Sequence, residues 1–327
     1  MKKCDQLKKL VHFLLILILV LVFLISGLRI LESTVFSSGQ NQGETFERKT
    51  ITRDGVEYFP RQDITVMLVM GIDQEGPVQD SGYYRNPGAA DVVMLLIFDE
   101  KEECGRILYL NRDTMLQMPV LGMGGKQAGT SYAQLALAHT YGSGLEDSCE
   151  NTKKAVSDFL NGIAIDYYAA VNMDAVAILN DAVGGVTVTV EDDFSNVDPS
   201  LSKGTMTLWG KQAVNFVRTR KGVGDQLNLS RIQRQKTYIE GFSDAFSKAL
   251  KENPDFVVSV YEQVSPYLVT DCSVNTISGM LSRYDGFEIV EVVTPEGENI
   301  LGKEYYEFYA DEEELDQLIL RLFYAPK

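Results

Sequence analysis

The chain has 327 residues, of which 45% are hydrophobic and 23% are charged, and these proportions are close to those of an ordinary globular protein. Its formal net charge of −16 argues against a duplex nucleic acid as partner, because phosphate backbones are bound by basic surfaces. The four cysteines and two histidines show no metal-binding spacing, which disfavours a zinc site.

The first predicted element is a membrane-spanning helix. Leu10–Leu28 contains nineteen residues without a charged side chain, and a helix of that length spans roughly 28 Å, about the thickness of the hydrocarbon core. Only Arg29 follows the segment closely, whereas four lysines precede it, namely Lys2, Lys3, Lys8 and Lys9. Since positive charge stays on the cytoplasmic side, we expect the N-terminus in the cytoplasm and the rest of the chain outside.

This topology divides the chain into four regions. We expect a cytoplasmic tail over 1–9, a transmembrane anchor over 10–31, an extracytoplasmic linker over 32–60 and one domain over 61–327. A cleaved signal peptide is the alternative, but its apolar core is normally shorter, and no small-x-small cleavage site follows the apolar run.

The domain begins with apolar runs at 64–70, 91–98 and 106–110, which predict strands that are buried on both faces. The later segments predict, in order, helices at 131–141 and 147–161, a strand at 166–172, a helix at 174–183, a strand at 186–190, helices at 210–218, 230–251, 255–264 and 273–283, a strand at 287–293 and a helix at 311–323. Strands interspersed with helices predict one α/β domain whose sheet is covered on both faces.

Charged residues occur at the ends of the first three strands. Asp73 lies two residues after Gly71, and Asp91 lies at the start of the second strand. Two carboxylates at such strand ends would suit Mg²⁺, which prefers oxygen ligands and keeps waters that a phosphate can replace. The alternative is that each Asp only caps a turn. Arg112 and Asp113 follow the third strand, where a solvated ion pair is the simplest interpretation.

A cluster of arginines suggests a phosphate site. Four of them fall within 17 residues, at Arg218, Arg220, Arg231 and Arg234. Guanidinium groups bind phosphate oxygens in a bidentate manner, so four of them would make a strong pyrophosphate clamp. The alternative is a charged helix surface.

Six motifs occur in order over about 64–245: MLVMGID (67–73), ADVVMLLIFD (90–99), ILYLNRDT (107–114), AHTYG (138–142), GIAIDYYAAVNMDAVAILNDAVGGVTVTV (162–190), and WGKQAVNFVRTR with LSRIQRQK (209–220 and 229–236). Together with a single preceding anchor, they resemble the LytR-CpsA-Psr family. The resemblance implies an αβα sandwich with a mixed central sheet. It also implies a Mg²⁺-dependent phosphotransferase that moves an anionic glycopolymer, such as a teichoic acid or a capsule, from an undecaprenyl-pyrophosphate carrier to peptidoglycan.

The resemblance also assigns residues. Asp73 and Asp91 correspond to the catalytic, metal-binding carboxylates, and Arg112 corresponds to a further catalytic residue. The pyrophosphate ligands would be Arg218, Arg220, Arg231, Arg234 and Gln235. The chain departs from the family pattern at Glu75 and at Ala89–Ala90, where the family often has arginine and Arg-Ser. Gln74–Gly88 resembles an insertion, and Arg85 within it is a candidate substitute for the missing positive charge.

Three functions remain open from the sequence. The first is transfer of the glycopolymer to peptidoglycan, and the second is hydrolysis of the pyrophosphate by the same residues. The third is a weakly catalytic or non-catalytic polyprenyl-pyrophosphate binding protein with a regulatory or assembly role, which the substitutions at Glu75 and Ala89 favour.

Overall fold

The computed structural model describes residues 50–327 except 54, 220–221, 225–227, 254–255, 274–275, 277–278, 281–282, 285 and 304, and at some helical positions it describes the backbone only. The predicted tail at 1–9 and the predicted anchor at 10–31 lie outside these residues. Among the helices of the described part, none has both the length and the apolar character needed to cross a bilayer.

Fifteen strands are present in the described residues: β1 Ile51–Arg53, β2 Val56–Pro60, β3 Ile64–Ile72, β4 Ala90–Asp99, β5 Cys104–Leu110, β6 Met115–Leu121, β7 Gln127–Gln134, β8 Tyr167–Asn172, β9 Val186–Val190, β10 Gly204–Leu208, β11 Leu268–Thr270, β12 Glu288–Val293, β13 Gly297–Leu301, β14 Tyr306–Ala310 and β15 Tyr324–Pro326. The α-helices are α1 Glu146–Phe159, α2 Asp174–Ala182, α3 Lys211–Arg218, α4 Asn228–Glu252, α5 Phe256–Val264 and α6 Glu312–Phe323. Short 3₁₀ helices cover Leu135–Thr140 and Ser265–Tyr267.

Six strands form the central sheet, in the order β11-β8-β3-β4-β5-β12. The pairs β3–β8 and β5–β12 are parallel, whereas β3–β4, β4–β5 and β8–β11 are antiparallel, so the sheet is mixed as expected. Because β3, β4 and β5 are consecutive antiparallel neighbours, the end of β3, the start of β4 and the end of β5 meet at one edge of the sheet.

Helices cover both faces of this sheet. Met67 and Val69 of β3 belong to a core shared with α2, α3, α4 and α5, whereas Leu68 and Met70 belong to a second core shared with α1 and α6. Successive side chains of a strand point to opposite faces, so the continuous apolar run of β3 fills both cores. The expected αβα arrangement is therefore confirmed.

Two expectations about chain organisation are wrong. The linker expected over 32–60 ends earlier, because β1 and β2 pair with each other and β2 pairs with the C-terminal β15. The helix expected at 131–141 is instead the end of β7 followed by a 3₁₀ helix, since Gln127–Gln134 forms a hairpin with β6. Strand pairing therefore takes residues 131–134 out of the predicted helix, and the leucine-containing remainder forms the 3₁₀ helix.

The three described cysteines are buried free thiols, at Cys104, Cys149 and Cys272. Burial raises the pKa of all three, for Cys272 to about 12. These residues therefore behave as small apolar side chains of the core.

Candidate active site at one edge of the central sheet

Asp73 and Asp91 lie side by side at this edge. Asp73 directly follows β3, and its backbone N–H donates a 2.9 Å hydrogen bond to the carbonyl oxygen of Ala89. Asp91 is the second residue of β4, and the register shift between Gly71 and Ile72 occurs where these two strand ends meet. The antiparallel pairing of β3 with β4 thus brings together two carboxylates that are eighteen positions apart in the sequence.

Arg112 lies across from Asp91 on the next strand. Leu110, the last residue of β5, pairs with Val93, so the chain two residues further along brings Arg112 opposite Asp91. A guanidinium nitrogen of Arg112 donates to the carboxylate of Asp91, and its Nε lies 3.5 Å from Oδ1 of Asp113. Arg112 therefore contacts two carboxylates, and the pair with Asp113 that the sequence suggested is only one of these contacts.

Arg218 approaches from the helical layer. It is the last residue of α3, a position where the helix dipole favours a positive charge, and its guanidinium donates to the carboxylate of Asp73. The side chains of Arg218 and Asp73 are both exposed, so a ligand can replace this contact from solvent. Two aspartates and two arginines therefore form adjacent ion pairs around one sheet edge.

Burial and the neighbouring charged side chains shift the pKa of Asp91. Burial raises the pKa of the Asp91 carboxyl above its ordinary value and outweighs the opposing effects of Arg112 and Arg218. The negative charge of Asp73 raises the pKa of Asp91 further, which shows that the two carboxylates interact. A cation between them would relieve both effects.

The donor set fits Mg²⁺. This ion is usually bound by one or two carboxylates, and phosphate oxygens and waters complete its coordination. Asp73 and Asp91 supply such a pair, and both are reachable from solvent. A second group of possible ligands, Asp99, Glu102 and Cys104, lies at the other end of β4. There Asp99 already binds Arg61 and Arg106, so this group is a structural ion-pair network.

Three of the residues predicted to bind pyrophosphate have side chains that the structure does not describe. Arg220 lies outside the described residues, and the side chains of Arg231 and Gln235, both in α4, are also outside them. Their expected contacts with pyrophosphate stay predictions.

Arg234 differs from the expectation that it holds the pyrophosphate. Its side chain is only 5% exposed, and it donates to the carbonyl oxygens of Phe216 and Thr219 and to the carboxylate of Asp192. The guanidinium carbon also lies 5.4 Å from the ring centroid of Phe194. Because its side chain is buried and Nε and both terminal nitrogens donate inside the protein, Arg234 fixes α4 against the end of α3 and is not positioned as a phosphate ligand.

Arg85 does not occupy the place of the missing arginine either. Its guanidinium carbon lies 5.2 Å from the ring centroid of Tyr141, and within the described part of the chain no ion pair joins it to Asp73 or Asp91. Glu75 is exposed, and Ala89 is partly buried beside Asp73. The departures from the family pattern therefore leave this side of the carboxylates with fewer positive charges.

The segment Gln74–Gly88 is held by hydrogen bonds that the sequence did not reveal. The buried amide of Asn86 donates to the carbonyl oxygens of His139 and Gly142 and to Ser148 Oγ. His139 Nδ1 lies 2.7 Å from the carbonyl oxygen of Gly88, and burial lowers the pKa of this histidine. These partners are more than 50 residues apart, so neither motif nor spacing could identify them.

Comparison with known proteins agrees with this arrangement. The sequence profile of the LytR_cpsA_psr family matches residues 32–323. The chain belongs to this family. Its LytR_cpsA_psr relatives include a Bacillus subtilis protein named polyisoprenyl-teichoic acid–peptidoglycan teichoic acid transferase TagT, which is 26% identical over 80% of this chain and 77% of its own length. A transferase named TagU from Oceanobacillus iheyensis is 27% identical over 79% of this chain and 75% of its own length.

Solved structures show the same fold. The crystallographic chain described as TagT bound to LI-WTA superposes with a TM-score of 0.58 at 24% identity, and the match covers 88% of this chain and 98% of that one. At this level of identity the likeness shows the fold alone. The LytR_cpsA_psr fold therefore accounts for the mixed sheet and for the two helical layers.

Proposed function

We propose that this protein transfers an anionic glycopolymer from a polyprenyl-pyrophosphate carrier to peptidoglycan, assisted by Mg²⁺ at Asp73 and Asp91. The observation that carries the proposal is the pair of adjacent ion pairs Asp73–Arg218 and Asp91–Arg112 at one edge of the sheet. Relatives named as teichoic acid transferases support the choice of a teichoic-acid-like polymer and of peptidoglycan as substrates.

Charge balance supports a pyrophosphate donor. The two carboxylates and the two guanidinium groups carry no net charge together, and a pyrophosphate diester with one divalent cation adds none. Arg112 and Arg218 can exchange carboxylate oxygens for phosphate oxygens, since nearly half of each side chain is exposed. Bidentate hydrogen bonds from both arginines would stabilise the charge that develops on the leaving phosphate.

The metal would add Lewis acidity at the reacting phosphate. Asp73 and Asp91 would hold it, and Arg220, Arg231 and Gln235 are the further residues that we expect around the pyrophosphate. Arg234 contributes by orienting α4, the helix that carries Arg231 and Gln235.

We also propose that the anchor at 10–31 keeps the domain at the outer surface of the membrane, where a lipid-linked donor is found. The four lysines that precede the apolar segment support this topology.

A second candidate is a polyprenyl-pyrophosphate binding protein with weak or no catalysis. The observation that favours it is the position of Arg85 over Tyr141, with no ion pair to Asp73 or Asp91 in the described part of the chain, while the family resemblance implies positive charge at the positions of Glu75 and Ala89.

One experiment separates these functions. The full chain in lipid nanodiscs is incubated with a polyprenyl-pyrophosphate-linked teichoic acid precursor and peptidoglycan, with Mg²⁺ or with EDTA. Linked polymer that forms only with Mg²⁺ supports transfer. Released polymer without linkage would instead indicate hydrolysis, and donor binding without either product would indicate the binding protein.

A further inference from the structure

The β13–β14 hairpin contacts the start of the β6–β7 hairpin, which lies beside the candidate active site. The backbone N–H of Phe308 donates a 2.8 Å hydrogen bond to the carbonyl oxygen of Asp113, and Thr114 and Phe308 form a parallel bridge. This single bridge places β14 beside the residue that precedes β6, and β13 lies beyond β14, while the two hairpins remain separate two-stranded sheets. The sequence did not predict β13 and β14.

The two linked hairpins share one face that is exposed and aromatic. Phe308 is buried, so alternation along β14 places Tyr309 and Glu307 on the opposite, outer face. The same alternation and register place Tyr132 and Gln117 on that face from the β6–β7 hairpin, and Ile300 from β13. The exposed fractions of Tyr132, Tyr309 and Ile300 are 57%, 37% and 47%, so these three large side chains contribute apolar surface to the same face. We call these five residues, with Glu298, the tyrosine face.

Tyr132 and Tyr309 are both exposed on this face. The hydroxyl group of Tyr309 donates a 2.6 Å hydrogen bond to Glu307, and this contact, more than the nearby phenol of Tyr132, raises the pKa of Tyr309. Gln117 is also fixed, because its amide donates a 2.6 Å hydrogen bond to Thr130 Oγ1. The tyrosine face therefore combines two exposed aromatic rings with polar side chains that are already oriented.

A short series of contacts connects this face to the active site. The Gln134 amide donates to Oδ1 of Asp113 at 3.0 Å and to the carbonyl oxygen of Tyr306 at 2.8 Å. The same Asp113 oxygen lies 3.5 Å from Nε of Arg112, which in turn binds Asp91. Since Gln134 and Tyr132 are two residues apart on one strand, their Cα atoms are separated by roughly 7 Å.

We propose that the tyrosine face binds the acceptor, an uncharged chain of N-acetylated amino sugars, and directs it towards Arg112. The apolar faces of pyranose rings pack against aromatic rings, and their hydroxyl and amide groups need the polar partners that Gln117 and Glu307 supply. The charged side chains that these strands place on the face, Glu298 and Glu307, are carboxylates, so they repel a polyanionic polymer and disfavour the donor. The identity of the ligand as acceptor rests on the proposed function.

The test measures binding of a linear hexamer of N-acetylglucosamine to the full chain in nanodiscs, by saturation-transfer NMR and calorimetry. We expect Tyr132→Ala and Tyr309→Ala each to weaken binding by about 5- to 20-fold, and Tyr132→Trp to retain it. Tyr306→Ala is the matched control, because Tyr306 lies on the same strand with its side chain 60% exposed but on the opposite face. It should stay within about twofold of the parent.

Three outcomes would overturn the proposal: no binding of the hexamer by the parent, equal weakening by Tyr306→Ala and Tyr309→Ala, or dependence of polyglycerol-phosphate binding on the two tyrosines. Binding of a polyprenyl pyrophosphate is measured in parallel. If the parent does not bind polyprenyl pyrophosphate, the proposed function alone is contradicted. If Tyr132→Ala still binds polyprenyl pyrophosphate but has lost hexamer binding, a separate acceptor surface is supported.

Discussion

Arg218, the last residue of α3, forms an ion pair with Asp73, which directly follows β3 and lies 145 residues earlier in the chain. This contact joins the arginine-containing helical layer to the carboxylates of the sheet. Asp91 and Arg112 form the matching pair on the neighbouring strands. Each of the two neighbouring carboxylates therefore has its own guanidinium partner, and each of the four groups can be removed separately.

Replacement of Arg218 by lysine tests the phosphate-binding role of the guanidinium. We expect Arg218→Lys to weaken polyprenyl-pyrophosphate binding by about 10-fold or more, because an ammonium group cannot make the bidentate contact and charge-assisted hydrogen bonds contribute about 1.5–3 kcal/mol. Isothermal calorimetry measures the affinity. Arg283→Lys is the control, since Arg283 is an exposed residue paired with Glu100 away from the site. Equal affinities of parent and Arg218→Lys would show that Arg218 is only a surface charge.

Removal of either carboxylate tests the metal site. Asp73→Asn and Asp91→Asn should each abolish the Mg²⁺-dependent activity and leave a cooperative thermal transition. Loss of an anionic ligand weakens Mg²⁺ binding strongly, whereas loss of a turn cap costs only about 1 kcal/mol of stability. Asp158→Asn is the control, because Asp158 forms an ordinary surface pair with Lys154. Full Mg²⁺-dependent activity with a lower melting temperature would favour the turn-capping role instead.

The raised pKa of Asp91 predicts opposite responses to two neighbouring substitutions. Arg112→Gln removes a charge that lowers this pKa and should raise it further, whereas Asp73→Asn removes a charge that raises it and should lower it. Carbon-13 NMR titration of the Asp91 carboxyl in metal-free protein measures both shifts. A shift of the Asp91 pKa in the same direction in both variants would contradict the arrangement of these charges.

The same carboxyl gives a stability prediction. Because the pKa of Asp91 is raised in the folded state, the folded protein binds this proton more tightly than the unfolded chain does. Its contribution to stability is therefore greatest below the unfolded pKa and is lost as the pH rises through the folded pKa. Asp91→Asn should remove this part of the pH dependence, as urea unfolding on both sides of that interval would show.

Arg234 should behave as a structural residue. Arg234→Met leaves the carboxylate of Asp192 and two backbone carbonyl groups without their donor, so we expect a loss of about 3 kcal/mol in the free energy of unfolding. Lys154→Met, at an exposed pair, should change it by less than about 1 kcal/mol. Denaturant unfolding compares the two. If Arg234→Met keeps parental stability and loses only donor binding, the phosphate-ligand role expected from the sequence would be restored.

The topology can be tested with thiol chemistry on intact cells. A cysteine introduced by Ser37→Cys should react with a membrane-impermeant reagent, because the lysines before residue 10 predict that residue 37 is outside. The chain supplies its own control, since Cys4 is expected on the cytoplasmic side and should react only after permeabilisation. Cys104, Cys149 and Cys272 are buried and their raised pKa values disfavour the reactive thiolate. Labelling at position 37 only after lysis would refute this topology.

Much of the sheet could be predicted from the sequence. The apolar runs at β3, β4 and β5 are long and continuous because both faces of these strands are buried, and the alternation of β9 is equally clear. The family motifs also carried the positions of Asp73, Asp91, Arg112 and Arg218, which the structure brings together. These features depend on residues that are close in the sequence, and their patterns are therefore visible without the fold.

Other features were decided only by tertiary structure. Arg218 and Arg234 look alike in the sequence, but the helix packing exposes one beside Asp73 and buries the other beside Asp192. The β6–β7 and β13–β14 hairpins lack continuous apolar runs, and their contact through Thr114 and Phe308 joins segments far apart in the chain. A side chain's role depends on which distant groups desolvate or pair with it, and local sequence patterns carry no information about those partners.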